Sequence, residues 1–138
     1  MKQKRFVTLL MAAVCMFLLA APAFATETRA SEQINSYSMT VTPKANALSV
    51  YFSVSGNSIM NKIGCESIKV YKLSNSRWVL TETWYEDDTG MSRSGIAMAN
   101  TIYCDGEADV EYKVVVTIFA ENDAGRDTRS QTFYVTGK

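Results

Sequence analysis

The chain has 138 residues, 14 basic against 14 acidic side chains, and no histidine. The missing histidine removes Ser-His and Cys-His nucleophilic sites, histidine general bases and most zinc centres together. The length is that of one ordinary domain able to bury a core, and the charge balance lacks the basic surplus a nucleic-acid binder needs.

Lys2, Lys4 and Arg5 open the chain, an uncharged apolar run follows from Phe6 to Ala21, and Pro22 leads into Ala23-Phe24-Ala25. A basic start, a short apolar stretch and small residues at a cleavage site are the layout of a secretory signal peptide. The run of about 16 residues is shorter than the roughly 18–20 that span a bilayer. Val14 is too bulky to precede a lipidated Cys15. Residues 1–25 are therefore expected to be a signal peptide, with the mature chain starting at Thr26, secreted to the extracellular side and without a membrane anchor after cleavage. The leader takes three of the 14 basic residues with it, so the mature chain is acidic by three charges. That argues against a nucleic-acid partner and against adhesion to anionic lipid.

Residues 26–35 are polar and read as a flexible leader, with the folded domain expected over residues 36–138. Tyr37, Met39 and Val41 alternate with Ser and Thr, as do Leu48, Val50, Phe52 and Val54. Period-two alternation of β-branched and aromatic residues predicts half-buried strands. Gly56 to Gly64 reads as an irregular link whose Ile59, Met60 and Ile63 can plug the core edge. A third strand is expected over Ser67 to Leu73, a hairpin turn at Ser74-Asn75-Ser76, and a fourth strand from Arg77 to Tyr85 carrying both tryptophans. Glu86 to Ser94 reads as a loop, Ile96 to Cys104 as a fifth strand, and Asp105 to Asp109 as a turn. Val110 to Ala120 has Tyr112, Val114, Val116 and Ile118 on one face and Val115 and Phe119 on the other, which suits a central strand. After a turn at Glu121 to Arg126, Asp127 to Thr136 completes the set. The expected fold is all-β, an antiparallel two-sheet immunoglobulin-like sandwich of about seven strands.

Tyr112-Lys113-Val114-Val115-Val116 followed by Ala120-Glu121-Asn122-Asp123-Ala124-Gly125 resembles the last two strands of fibronectin type III and related immunoglobulin-like domains. Tyr112 stands about two residues further from Ala120 than that pattern places it. The turn with Asp105 and Gly106 ahead of Tyr112 resembles a tyrosine corner. The mature chain as a whole is similar to small exported proteins of unknown function from Gram-positive bacteria, through Lys62-Ile63-Gly64, the tryptophan of the fourth strand and the same tail. The resemblance implies a sandwich and names no activity.

Asp87 and Asp88 beside Trp84 and Tyr85 have the ingredients of a carboxylate-based glycoside hydrolase, but neighbouring residues in a strand or loop point apart, and a solvated acidic loop explains them more simply. Asp87 with Asp88, Asp105 with Glu107 and Asp109, and Asp123 with Asp127 are ordinary turn clusters. None matches a calcium loop, so no metal and no cofactor is expected. Trp78, Trp84, Tyr85 and Tyr71 fall on adjacent strands. Such aromatics form a contact platform when exposed, although regular alternation puts Trp78 and Trp84 on one face, and the core is the expected place for Trp78. Cys65 and Cys104, the mature chain's cysteines, suit one disulfide in an exported protein. In the simple strand order they fall at opposite poles, beyond the roughly 7 Å that a bridge tolerates, so the pairing stays open.

The sequence thus points to a non-enzymatic exported module that binds an extracellular protein or carbohydrate, with Trp84, Tyr85, Asp87 and Asp88 as its candidate contact residues. The loops Glu86 to Ser94 and Glu121 to Arg126 are the expected recognition segments, and in a sandwich they need not share one end. A passive or self-associating exported protein held by edge-strand pairing is the alternative, and a carboxylate-based hydrolase ranks third.

Overall fold

The computed structural model describes residues 32–138. The expected signal peptide and most of the polar leader lie outside the described residues. Six strands follow: β1 (Ile34–Lys44), β2 (Ala47–Ser74), β3 (Arg77–Tyr85), β4 (Ser92–Asp105), β5 (Glu111–Asn122) and β6 (Gly125–Thr136). They form one curled antiparallel sheet. β1 begins inside the segment expected to be a flexible leader. Ile34 is only 7% exposed and joins the core.

Six strands replace the expected seven because the second and third are one. β2 runs unbroken for 28 residues, through a Gly56–Gly64 segment that its composition marks as a link. The segment keeps its ladder to β4 through Met60–Gly95 and Ile63–Arg93, with register shifts on either side of Met60. These irregularities bend the strand without ending it, a common use of glycine within sheets. The inward side chains Met60 and Ile63 are fully buried.

The bend gives β2 two sets of neighbours. Its first half lies between β1 and β4. Its second half lies between β3 and β5, and β5 carries β6 on its far side. Side chains tie the unpaired edges together. The backbone N–H of Gln33, just before β1, donates to Asp127 Oδ2 of β6 at 2.8 Å. Across the other opening, Asp105 N–H of β4 donates to Glu82 Oε2 of β3 at 2.9 Å.

The core fills the concave side of the curl. Leu48, Val50, Phe52 and Val54 from the first half of β2 meet Ile68 and Val70 from the second half and Val114, Val116 and Ile118 from β5. Phe119, on the opposite face of β5, is also fully buried. The Arg126 guanidinium covers it, 3.9 Å from the ring centre.

Turns follow their local chemistry. Asn75 and Ser76 both take positive φ, at 50° and 63°, as a two-residue hairpin turn of the primed kind requires. In the β4–β5 turn the Tyr112 hydroxyl accepts a hydrogen bond from Glu107 N–H at 2.8 Å. Between β5 and β6, Asn122 Oδ1 accepts from Ala124 N–H at 2.9 Å, an Asx turn.

Candidate binding surface

One extra residue in β3 decides which aromatics reach solvent. Val70 pairs with Glu82, but Tyr71 pairs with Leu80, so Thr81 is unmatched. Its hydroxyl donates to Val70 O at 3.2 Å. Paired residues in a ladder share a face, and successive residues do not. Val70 is buried, so Glu82 and Trp84 share the inward side, whereas Leu80 and Trp78 share the outward side with Tyr71. Uniform alternation would have put positions 78, 80, 82 and 84 on one face. The bulge corrects that expectation: Trp78 lies on the surface, 36% exposed, and Trp84 packs against the core.

The outward face of β6, β5, the second half of β2, and β3 therefore carries a ridge. Tyr134, Lys113, Tyr71 and Leu80 form one cross-strand row. The Trp78 and Tyr134 rings lie 5.8 Å apart, tilted by 54°. The Lys113 ammonium sits 4.4 Å from the Tyr71 ring centre and 5.6 Å from that of Trp78. Each such cation–aromatic contact contributes roughly 0.5–1 kcal/mol at an exposed site and holds the rings in place. Tyr134 is 67% exposed and Leu80 50%. A hollow of about 320 Å³ beside the ridge is lined by Trp78, Glu111, Tyr112, Tyr134, Val135 and Thr136. Tyr134 and Lys113 were not singled out from the sequence. Lys113 between the inward Tyr112 and Val114 was the available signal.

Of the four residues expected to act together, Trp84 is separated from the other three. Trp84 turns inward, and its indole N–H donates to Glu82 Oε1 at 2.9 Å. Tyr85 is exposed and lines a shallow hollow of about 540 Å³ with Glu66, Ser67, Lys69, Glu86 and Asp87. Asp87 is ion-paired to Lys62 at 2.7 Å. Asp88 accepts from Tyr85 N–H at 2.7 Å, the turn role expected of an aspartate there.

The two expected recognition loops do meet. Glu86 Oε2 is 2.6 Å from Arg126 Nη2 and 3.1 Å from Lys62 Nζ, and Arg126 Nη1 reaches Glu121 at 3.3 Å. The neighbouring Asp87 and Glu86 carboxylates raise the Lys62 pKa against a smaller opposing effect of burial. A sequence cannot reveal this clasp, because its partners are some forty positions apart.

Cys65 and Cys104 are both free buried thiols. Burial pushes each up to about 12. At Cys104 the Glu82 and Asp105 carboxylates add to the rise, while the Trp84 indole opposes it. Neither has the electropositive, accessible setting of a reactive cysteine. Among the described residues, no group of three or more cysteine, aspartate and glutamate side chains gathers to hold a metal. No family model, curated protein or solved structure matches the chain.

Proposed function

We propose that the chain is an exported, non-catalytic domain of the immunoglobulin-like sandwich class, working as a binding module for an extracellular protein or carbohydrate. The sandwich reading is supported by the pairing pattern, β1–β2–β4 on one side of the bend and β3–β2–β5–β6 on the other, and by the Tyr112 hydroxyl bonded back to Glu107. The single observation that carries the binding reading is the outward ridge of Tyr71, Trp78 and Tyr134 ordered around Lys113. Tryptophan and tyrosine dominate the energetics of protein contacts, and the exposed aliphatic Leu80 beside them favours a protein over a sugar on this face. Immobilised mature chain should capture a cell-surface component that Trp78→Ala and Tyr134→Ala each fail to hold. Equal capture by all three proteins would sink the ridge as the contact surface.

A second reading, self-association, has its own observation. Trp78, Val79 and Leu80 are consecutive exposed apolar residues on β3, which among the described residues pairs only with β2. Such an edge is open to another strand. Sedimentation of the mature chain across a wide concentration range, compared with Val79→Lys, distinguishes the two: a dimer lost in the variant favours this second reading.

A further inference from the structure

The opposite outward face has a different chemistry. The face of β1, the first half of β2, and β4 is built from cross-strand rows. Thr42, Ser49 and Tyr103 form the first, and Thr40, Tyr51 and Thr101 the second. Ser38, Ser53 and Ala99, then Ser36, Ser55 and Ala97, form the next two. Every position on these rows carries a hydroxyl except the two alanines, and none carries a charge. Charge returns at the two ends, where Lys44 and Asp105 flank Ala47 and where the Arg93 guanidinium lies beside Gly95. The inward residues between them, Leu48, Val50, Phe52 and Val54, are buried. The core therefore fixes the hydroxyl face outward, since a one-residue slip would exchange the two sets.

We propose that this face binds a neutral polysaccharide along its hydroxyl rows, with Tyr51 and Tyr103 as stacking platforms. The absence of charge is the main argument. Covering a charged side chain with an uncharged ligand costs its desolvation without a compensating partner. A face free of charge has no such cost, and its hydroxyls both donate and accept, as sugar hydroxyls do. A tyrosine pair adds stacking surface. Tyr103 is 65% exposed and Tyr51 39%. They sit on adjacent strands, one pairing with Ser49 and the other with Thr101. That diagonal relation separates them by about 7–8 Å, so each ring can lie under a different sugar of one chain. The face is also rigid. These side chains stand on a three-stranded ladder, with strands roughly 4.8 Å apart, so little conformational freedom is lost on binding. The proposal concerns a face separate from the aromatic ridge and does not depend on it.

The test is a depletion assay with the mature chain on microcrystalline cellulose, chitin and a soluble β-glucan as neutral probes, with polygalacturonate and heparin as charged ones. At least one neutral polymer should deplete the protein from solution, and salt from about 0.05 to 0.5 M should leave that depletion unchanged, because no ion pair is screened. Tyr51→Ala with Tyr103→Ala should weaken it by about tenfold or more, and Ser53→Asp, a charge at the centre of the face, should weaken it similarly. Thr132→Ala, at an exposed position of β6 outside the hydroxyl rows and the aromatic ridge, should leave it unchanged. Unfolding midpoints of all variants separate loss of binding from loss of fold. Thr40→Ala, on the exposed edge strand, offers a milder probe should the double variant not fold. No depletion by any neutral probe would overturn the proposal. So would binding confined to the charged polymers, or binding indifferent to Tyr51 and Tyr103. A concentration-dependent dimer abolished by Ser53→Asp would also overturn it, assigning the face to a second copy of the chain.

Discussion

Replacing Tyr112 by phenylalanine isolates one hydrogen bond at the turn that supports the sandwich reading. The ring is 3% exposed and remains in place, so no cavity opens. Only the hydroxyl that accepts from Glu107 N–H at 2.8 Å is lost. A stranded buried donor costs about 1–3 kcal/mol. Glu107 is exposed, so water can reach its N–H and the lower end applies, about 1 kcal/mol. In urea this corresponds to a fall in midpoint of roughly 0.5–1 M at unchanged slope, or roughly 4–8 °C in Tm. Equilibrium unfolding followed by tryptophan fluorescence measures both. Tyr134→Phe is the control: its ring is 67% exposed, and the change should stay within about 0.5 kcal/mol. A Tyr112→Phe variant as stable as wild type would refute the assignment of structural weight to this bond. A changed slope would mean that the denatured state, not the turn, had been altered.

Gly64→Ala should destabilise on the order of 3 kcal/mol or more, because φ is +152° and the new Cβ would lie 2.2 Å from Met91 O; a Tm within a few degrees of wild type would contradict the close approach of β4. Both thiols are raised from 9.0 to about 12, so the folded state holds these protons longer than the unfolded chain. Their contribution is complete below pH 9 and is lost as pH climbs toward 12, at about 1.4 kcal/mol per pH unit for each thiol. Urea titrations at stepped alkaline pH should show this slope, and Cys65→Ala with Cys104→Ala should flatten it. Deleting Thr81 removes the unmatched residue but leaves Glu82–Val70 and Leu80–Tyr71 in register. Trp78 should therefore stay outward, with its acrylamide quenching unchanged; a protected Trp78 would show that β3 had slipped by one residue against Tyr71 and Leu73, contradicting this register.

The alternation of Tyr37, Met39 and Val41, and that of Tyr112, Val114, Val116 and Ile118, located β1 and β5 because each strand has one clearly apolar face. The same logic failed at Trp78. Alternation is a property of one strand, whereas the Thr81 bulge is a property of a pair, visible only once Val70 and Tyr71 are placed opposite. The continuity of β2 was hidden for a related reason. Glycine, asparagine and serine between 56 and 64 are the residues of turns, and only pairing with β4 and β5 keeps them extended. Glu86 and Arg126 were individually visible as loop charges. Their contact depends on how the sheet curls, which no local pattern encodes.

A single strand serving both halves of the sheet also has a mechanical consequence. In a fold where separate strands carry the two faces, a loop between them can absorb a small displacement. Here Tyr51 on the hydroxyl face and Tyr71 on the aromatic ridge stand on the same continuous strand, across register shifts around Met60. Between them Met60, Ile63 and Gly64 are pinned on their flanks. A tilt imposed at one tyrosine meets no separate loop before it reaches the other, only the irregular stretch ahead of Met60. The two surfaces are thus joined like opposite ends of one bent spring, with Gly64 near its elbow.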